Sequence, residues 1–298
     1  MCDITEDNLI EAFDQLAADA PDARACELLV GLARHLHAFV RETGLTHAEW
    51  RAAIDGLARA CETTNAERNE FALLSDIFGI SSLVDLIGSP VGATSSSVLG
   101  PFHQRGAPPM PNGGDLWKGQ AGDVLVLSGD VVDGATGNPI AGATLDLWQN
   151  ADNGLYSVQD ANQPDLNYHG MLTCDVRGSF AFTTTRFKPY TVPTDGLGGE
   201  VLHMLGRNAW RPAHLHVIVE APGYRPITTE LFLSDDPCLE RDAAFGVRKD
   251  LILQLEEKTK ADYPADQFEA YERLPHSFLA GSVRFRMISE AQFAGRLA

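Results

Sequence analysis

The amino-acid sequence changes character once, near residue 88, and the change limits the chain to a helical segment followed by a β-rich one. Up to Gly88 it is rich in Ala, Leu, Glu and Arg, poor in Gly, and free of Pro between Pro21 and Pro90. That is helical composition, and it predicts three or four helices. Pro21 marks a helix start and Gly44 a C-terminal stop, and Thr46-His47-Ala48-Glu49 spells a capping box. Phe71, Leu74, Ile77 and Phe78 recur at helical spacing, but Ser81 falls next in the series and Gly79 interrupts it. The segment from about residue 66 to 86 is therefore amphipathic and broken near Gly79.

Residues 89–97 and 108–114 are Pro-, Gly- and Ser-rich breaks. Beyond them, short β-branched or alternating runs cover 123–127, 129–132, 143–148, 178–184, 214–219 and 227–233, with turn chemistry at 133–139. No long helices alternate with these strands, so the sheet pairing is expected to be antiparallel. The predicted fold is mainly β with a helical N-terminal domain: residues 1–95 form a helical domain, and residues 96–298 an antiparallel β-sandwich. Internal repeats and low-complexity tracts are absent from the sequence.

Charge narrows the partners. With 23 Lys and Arg against 41 Asp and Glu, the net charge is −18, which repels nucleic acid and anionic membrane surfaces. The first residues carry no basic segment ahead of an apolar stretch, and no apolar run approaches the ~18 residues that span a bilayer. Cys2, Cys26, Cys61, Cys174 and Cys238 form no CxxC pair and leave one over on pairing. These features predict a soluble cytoplasmic protein with free thiols.

His214-Leu215-His216 is the sharpest local motif, because residues i and i+2 of a strand face the same way and can share a metal. His35-Leu36-His37 lies in helical sequence, where a two-residue step turns about 200° and separates the rings. An HxH pair is also compatible with two half-exposed strand histidines. Tyr156 and Tyr190 stand in loop-like sequence 58 and 24 residues before His214, and Arg211-Pro212-Ala213 leads into the pair. Each tyrosine alone reads as an ordinary amphipathic aromatic, since a phenol of pKa about 10 ionises near neutrality only beside a strong Lewis acid. Two other readings stay open on the residues. His214-x-His216-x3-Glu220 matches half of a cupin-like metal pattern, and 129–145 resembles transthyretin-like binding sandwiches.

Taken together, residues 69–76, 98–102, 129–148 and 206–216 with the two tyrosines resemble the intradiol ring-cleaving dioxygenases, within them the catechol and hydroxyquinol 1,2-dioxygenase group. The resemblance covers about residues 66–233. It implies one Fe(III) per chain held by Tyr156, Tyr190, His214 and His216, a small aromatic diol or triol with O2 as substrates, and cleavage between the hydroxylated carbons. Two phenolates are hard anionic donors that favour the ferric state. The resemblance further implies that Tyr190 takes up substrate protons and that Arg211 stabilises charge on the ring. Its pocket would be lined by Leu73, Asp76, Val98, Leu99, Gly100, Pro101, Phe102, Val192 and Pro193. Asp76 is a candidate partner for a third ring hydroxyl, or an ordinary helix-surface or amide-bound aspartate. Glu230 stands where the family usually has glutamine, and could act on the ring or pair with Arg211. The helical domain would form a homodimer interface, with a lipid at that interface left open. His47, His103, His169, His203 and His276 are expected to be non-catalytic, and Asp235-Asp236 and Glu256-Glu257 to be solvated.

Overall fold

The computed structural model describes residues 3–65 and 68–297, with backbone alone for 295–297. Cys2 and Ala66, which the readings above include, lie outside these residues. The chain forms two compact units divided between Arg59 and Ala60.

The first unit holds α1 (Leu9–Ala17), α2 (Ala23–Thr43) and most of α3 (His47–Thr63). The Asp22 carboxylate accepts from the N–H groups of Arg24 and Ala25, so α2 begins at Ala23, two residues after Pro21 and directly after its cap. Gly44 ends it in the left-handed region at φ 60°. The Thr46–Glu49 box closes reciprocally: Glu49 accepts from Thr46 N at 2.9 Å, and Glu49 N donates to the Thr46 hydroxyl at 3.3 Å. These hydrogen bonds hold the Glu49 carboxyl below its ordinary value.

In the second unit, α4 (Glu70–Ile77) and α5 (Ile80–Gly88) bend by 71° at Gly79. Gly79 adopts φ 71°, and a side chain there would meet the Phe245 ring at 3.3 Å. The break read at Gly79 is therefore present. Leu74 and Ile77 are buried, whereas Phe71 and Phe78 remain exposed.

Two sheets follow. The larger runs in the order β1 (Pro109–Met110), β5 (His169–Thr173), β4 (Thr144–Trp148), β9 (His214–Glu220), β10 (Ile227–Leu233) and β11 (Ile252–Leu253). The second runs β12 (Glu256–Thr259), β13 (Ser277–Met287), β3 (Val124–Asp133), β6 (Ser179–Thr185) and β2 (Gly114–Asp115). Leu145 and Leu147 of β4 and Leu215, Val217 and Val219 of β9 share one core with Leu125 and Leu127 of β3, Phe180 and Phe182 of β6, and Phe285 of β13. This is the expected sandwich, but its pairing is mixed. The pairs β4·β5, β4·β9, β9·β10, β3·β6 and β12·β13 are antiparallel, while β1·β5, β2·β6, β10·β11 and β3·β13 are parallel. The correction has a topological cause: β13 returns from far along the chain to lie beside β3, and so long a connection permits either direction.

Because Leu145, Leu147, Leu215, Val217 and Leu231 face inward, strand alternation turns Asp146, Trp148, His214, His216 and Glu230 to the outer face of the larger sheet. Residues after β6 supply the rest of the site's frame: β7 (Tyr190–Thr191), α6 (Leu197–Met204) and β8 (Trp210–Arg211). Ile77 of α4 packs with Val192, Leu202 and Ala243. The fully buried Glu70 accepts from Gly198 N at 2.8 Å at the start of α6 and pairs with Arg68 at 2.8 Å. A buried carboxylate thus docks α4 on α6. Phe285→Ala, which empties the middle of the sandwich, should cost about 3–5 kcal/mol in urea unfolding without changing metal content.

Candidate metal centre and its cavity

Two imidazoles and two phenols converge above the outer face of the larger sheet. His214 Nε2 lies 3.2 Å from His216 Nε2 and 3.4 Å from the Tyr156 hydroxyl. The Tyr156 and Tyr190 rings meet edge to face at 5.7 Å, and Tyr190 stands 5.4 Å from the His214 ring. His214 Nδ1 donates to the Pro212 carbonyl at 2.7 Å, so its Nε2 carries a lone pair directed at the same point as its neighbours.

Local structure explains each position. His214 and His216 are two residues apart on β9. Tyr190 is held by the β7·β8 pair, opposite Arg211. Tyr156 sits on the loop after β4, and the buried Asn150 ties that loop down by donating to Lys188 O at 2.8 Å and accepting from Lys188 N at 3.1 Å. Trp148 stacks on His216 with centroids 4.8 Å apart and planes 1° from parallel, and Phe102 stacks on Tyr156 at 4.6 Å. Gly100 lets its loop approach: at φ 70°, a Cβ there would stand 3.1 Å from His216 Cε1.

Behind the imidazoles lies a charged cluster. Glu230 grips Arg211 through two bonds of 2.6 and 2.9 Å, and Asp242 takes the Nε edge at 3.1 Å. Asp242 also accepts from the N–H groups of Ala244 and Gly246, and the Ser97 hydroxyl donates to Glu230 at 2.7 Å. Glu230 Oε1 lies 3.4 Å from His214 Nε2 and 3.6 Å from His216 Nδ1. Of the two roles open for Glu230, the geometry shows the pairing with Arg211.

The electrostatics follow from burial. It pushes the Tyr156 phenol well up, with Tyr190 adding to the effect, and raises Tyr190 as well. It lowers His214, and it lowers His216 strongly, helped there by His214. Burial alone would raise Glu230, yet Arg211 and the two imidazoles hold it well below the usual carboxylate range. Arg211 stays protonated: burial opposes its charge, but Asp242 and Glu230 override it. Without an ion the four buried donors favour their neutral forms, and a bound cation of high charge reverses the phenols' preference. The residues present fit a hard, high-valent ion.

All nine residues expected in the pocket line one cavity of about 1090 Å³, together with Tyr190 and Arg211. Leu73, Val98, Leu99, Pro101, Phe102, Val192 and Pro193 give it apolar walls. Asp76 hydrogen-bonds Ser81, and burial raises its carboxyl despite that hydroxyl and the nearby Arg211.

Several residues escaped the sequence reading. Asp242, Ser97, Trp148 and Asn150 all brace the centre, through partners far away along the chain. Asp236, expected to be solvated, is buried and accepts from Ala213 N at 2.8 Å, steadying the segment before His214. An Asp ahead of Pro237 was the available signal. The third group beside the imidazoles is Glu230 and not Glu220, which lies exposed at the end of β9. That removes the cupin-like reading.

A β-sandwich with two tyrosines and an HxH pair gathered over one cavity is the arrangement that the resemblance to intradiol dioxygenases implies. The family model described as "Dioxygenase" matches residues 101–275, and that described as "Catechol dioxygenase N terminus" matches residues 22–95. The 6-chlorohydroxyquinol 1,2-dioxygenase of Cupriavidus pinatubonensis is 39% identical over 268 residues, covering 89% of this chain and 97% of that protein. The hydroxyquinol 1,2-dioxygenase of a Rhizobium species is 40% identical over 78% of this chain and 80% of its own length. The crystal structure of hydroxyquinol 1,2-dioxygenase from Pseudomonas putida DLL-E4 superposes with a TM-score of 0.88 at 39% identity, over 96% of this chain and 99% of that one. The chain belongs to the intradiol ring-cleavage dioxygenase family. It is an enzyme that opens aromatic rings with O2, which excludes the non-catalytic transthyretin-like reading. Gly100→Ala should push His216 aside and weaken metal binding at least about tenfold, with an unchanged far-ultraviolet circular dichroism spectrum.

Proposed function

We propose that this enzyme is a hydroxyquinol 1,2-dioxygenase that uses one Fe(III) per chain, bound by Tyr156, Tyr190, His214 and His216. The observation that carries the reading is the convergence of both imidazole Nε2 atoms with the Tyr156 hydroxyl in a site that Tyr190 completes from the cavity wall. A ferric ion with two phenolate donors supplies the withdrawal of electron density from a bound diolate that opens its ring to O2. Cleavage between the hydroxylated carbons gives maleylacetate from the triol, or a cis,cis-muconate from catechol.

The chain's own residues do the rest. Tyr190 lies on the cavity wall, hydrogen-bonded to Tyr156 and Arg211, and its burial favours the protonated phenol. Held as a phenolate by the ion, it would be placed to accept a proton as a substrate hydroxyl ionises, and burial then favours the phenol that forms. Arg211 faces the cavity with a charge that cannot be lost, and Glu230 and Asp242 fix its plane, so negative charge on the ring meets a preoriented cation. Glu230 acts through Arg211. The apolar part of the lining, Leu73, Val98, Leu99, Pro101, Phe102, Val192 and Pro193, is suited to hold the ring.

The third hydroxyl is read by Asp76. A carboxylate among Leu73, Val98 and Val192 needs a polar partner, and a triol supplies one in addition to Ser81. The two relatives named above act on hydroxyquinols, which favours the triol over catechol. Catechol 1,2-dioxygenase activity is the alternative.

The division into a helical domain of 1–95 and a catalytic domain of 96–298 is supported by family matches that end at 95 and begin at 101. A homodimer through the helical domain is supported by the exposed Leu28, Leu29, Leu32, Leu36 and Phe39 of α2. The same apolar face suits an acyl chain, the lipid that the resemblance admits. A cytoplasmic location agrees with the four described cysteines being free. Among the described residues no single helix is long and apolar enough to cross a membrane.

Two experiments test the assignment. His216→Ala should lose iron and activity together, whereas an active variant, or wild-type protein that purifies with zinc and turns over, would overturn it. Asp76→Ala should reduce the preference for hydroxyquinol over catechol roughly tenfold to a few hundredfold in kcat/KM, with iron content unchanged. Equal kcat/KM for both substrates in wild type would make Asp76 structural and the enzyme a catechol 1,2-dioxygenase.

A further inference from the structure

A second ligand set lies on the same face of the larger sheet, separated from the first by one aromatic ring. His103 Nε2 is 3.0 Å from Asp146 Oδ2, and His169 Nε2 is 2.7 Å from Asp146 Oδ1. The ligand atoms of all three residues lie within 4.8 Å of one another. Strand register builds the arrangement. Trp148 pairs with His169 on one side and His216 on the other, so His169, Trp148 and His216 form a row across β5, β4 and β9. Asp146 lies two residues before Trp148 and shares its face. His103 comes down from the loop that lines the cavity, its ring edge-on to Trp148 at 4.6 Å.

We propose that His103, Asp146 and His169 bind a second metal ion, a divalent transition ion of the zinc type, independently of the iron centre. Three observations support this. The carboxylate is mostly buried, and the ion pairs it forms are with imidazoles, not with Lys or Arg. Two imidazole nitrogens and a carboxylate are the donors of a three-ligand zinc site with an open position, and they disfavour Mg2+ and Ca2+, which take oxygen ligands. Tetrahedral ligands about 2.0–2.2 Å from such an ion stand about 3.3–3.6 Å from one another. Here His103 and His169 Nε2 hydrogen-bond separate Asp146 oxygens at 3.0 and 2.7 Å, with all three ligand atoms within 4.8 Å, so an ion enters by displacing the two Nε2 protons and opening the cluster slightly. His103 lines the cavity, which gives the ion a route in, and the chain's net charge of −18 favours cation uptake.

The ion's role follows from what it would tie together. His103 is adjacent to Phe102, whose ring stacks on Tyr156. An ion shared by His103, Asp146 and His169 pins the cavity-lining loop to β4 and β5, and so fixes the wall against which Tyr156 is held. The site is a positioning device, with no part in the chemistry.

The test uses iron-loaded enzyme dialysed against low-micromolar zinc chloride, with iron and zinc both counted by plasma emission. The expected result is one zinc per chain with the iron retained, and a thermal midpoint that rises with zinc concentration. His169→Gln and His103→Gln should each weaken zinc binding at least about tenfold and abolish the zinc-dependent rise, with iron still bound. His103 is partly exposed on a loop, so its variant keeps the sheet intact if His169→Gln does not fold. Zinc taken up only in exchange for iron, no zinc on iron-loaded wild type, or equal zinc binding by His103→Gln would each overturn the proposal. Because zinc is read as the difference between wild type and His103→Gln, failure of the ferric assignment would leave this result interpretable.

Discussion

Everything at the candidate metal centre depends on the register of β9 between β4 and β10. His216 lies opposite Trp148 on one side and Glu230 on the other. A slip of one residue would carry His214 and His216 into the apolar core and bring Leu215 and Val217 to the cavity side. The inward residues prevent this, since Leu215, Val217 and Val219 are fully buried against the second sheet. The hydrophobic pattern that folds the sandwich is thereby the device that aims the two imidazoles.

The second constraint is electrostatic. Arg211, Glu230 and Asp242 are all nearly inaccessible, and a buried charge that lost its partner would be costly. The cluster is closed by two carboxylates on one guanidinium, with backbone N–H groups and Ser97 filling the remaining acceptor positions. The Arg211 guanidinium is therefore held from behind by two carboxylates, which keep its orientation fixed. The phenols and imidazoles in front are neutral by desolvation, so the site holds its geometry until an ion supplies the missing charge.

How much of this was legible depended on the range of the interactions. The helix break at Gly79, the helix start beside Pro21 and the Thr46–Glu49 box are local, and the sequence shows them directly. The HxH pair was readable from strand periodicity alone, because two residues on β9 need no long-range information to share a face. Tyr156 and Tyr190 carry no such rule, since they sit on a loop and a two-residue strand, and only resemblance to a family singled them out. Asp242, Asn150 and Asp236 act through hydrogen bonds to residues 31, 38 and 23 positions away, and local pattern is blind to those. The parallel β3·β13 pair escaped for the same reason, since β13 starts 144 positions after β3 ends. His103 and His169 looked unremarkable singly, and only the sheet register brings both to Asp146.

The most direct test of the central claim is the visible absorption spectrum of the iron-loaded enzyme and of its Tyr156→Phe and Tyr190→Phe variants. Two phenolates on Fe(III) predict a broad charge-transfer band in wild type that weakens and shifts in each variant. An active, iron-loaded wild-type enzyme without that band, or a band untouched by both substitutions, would contradict the account.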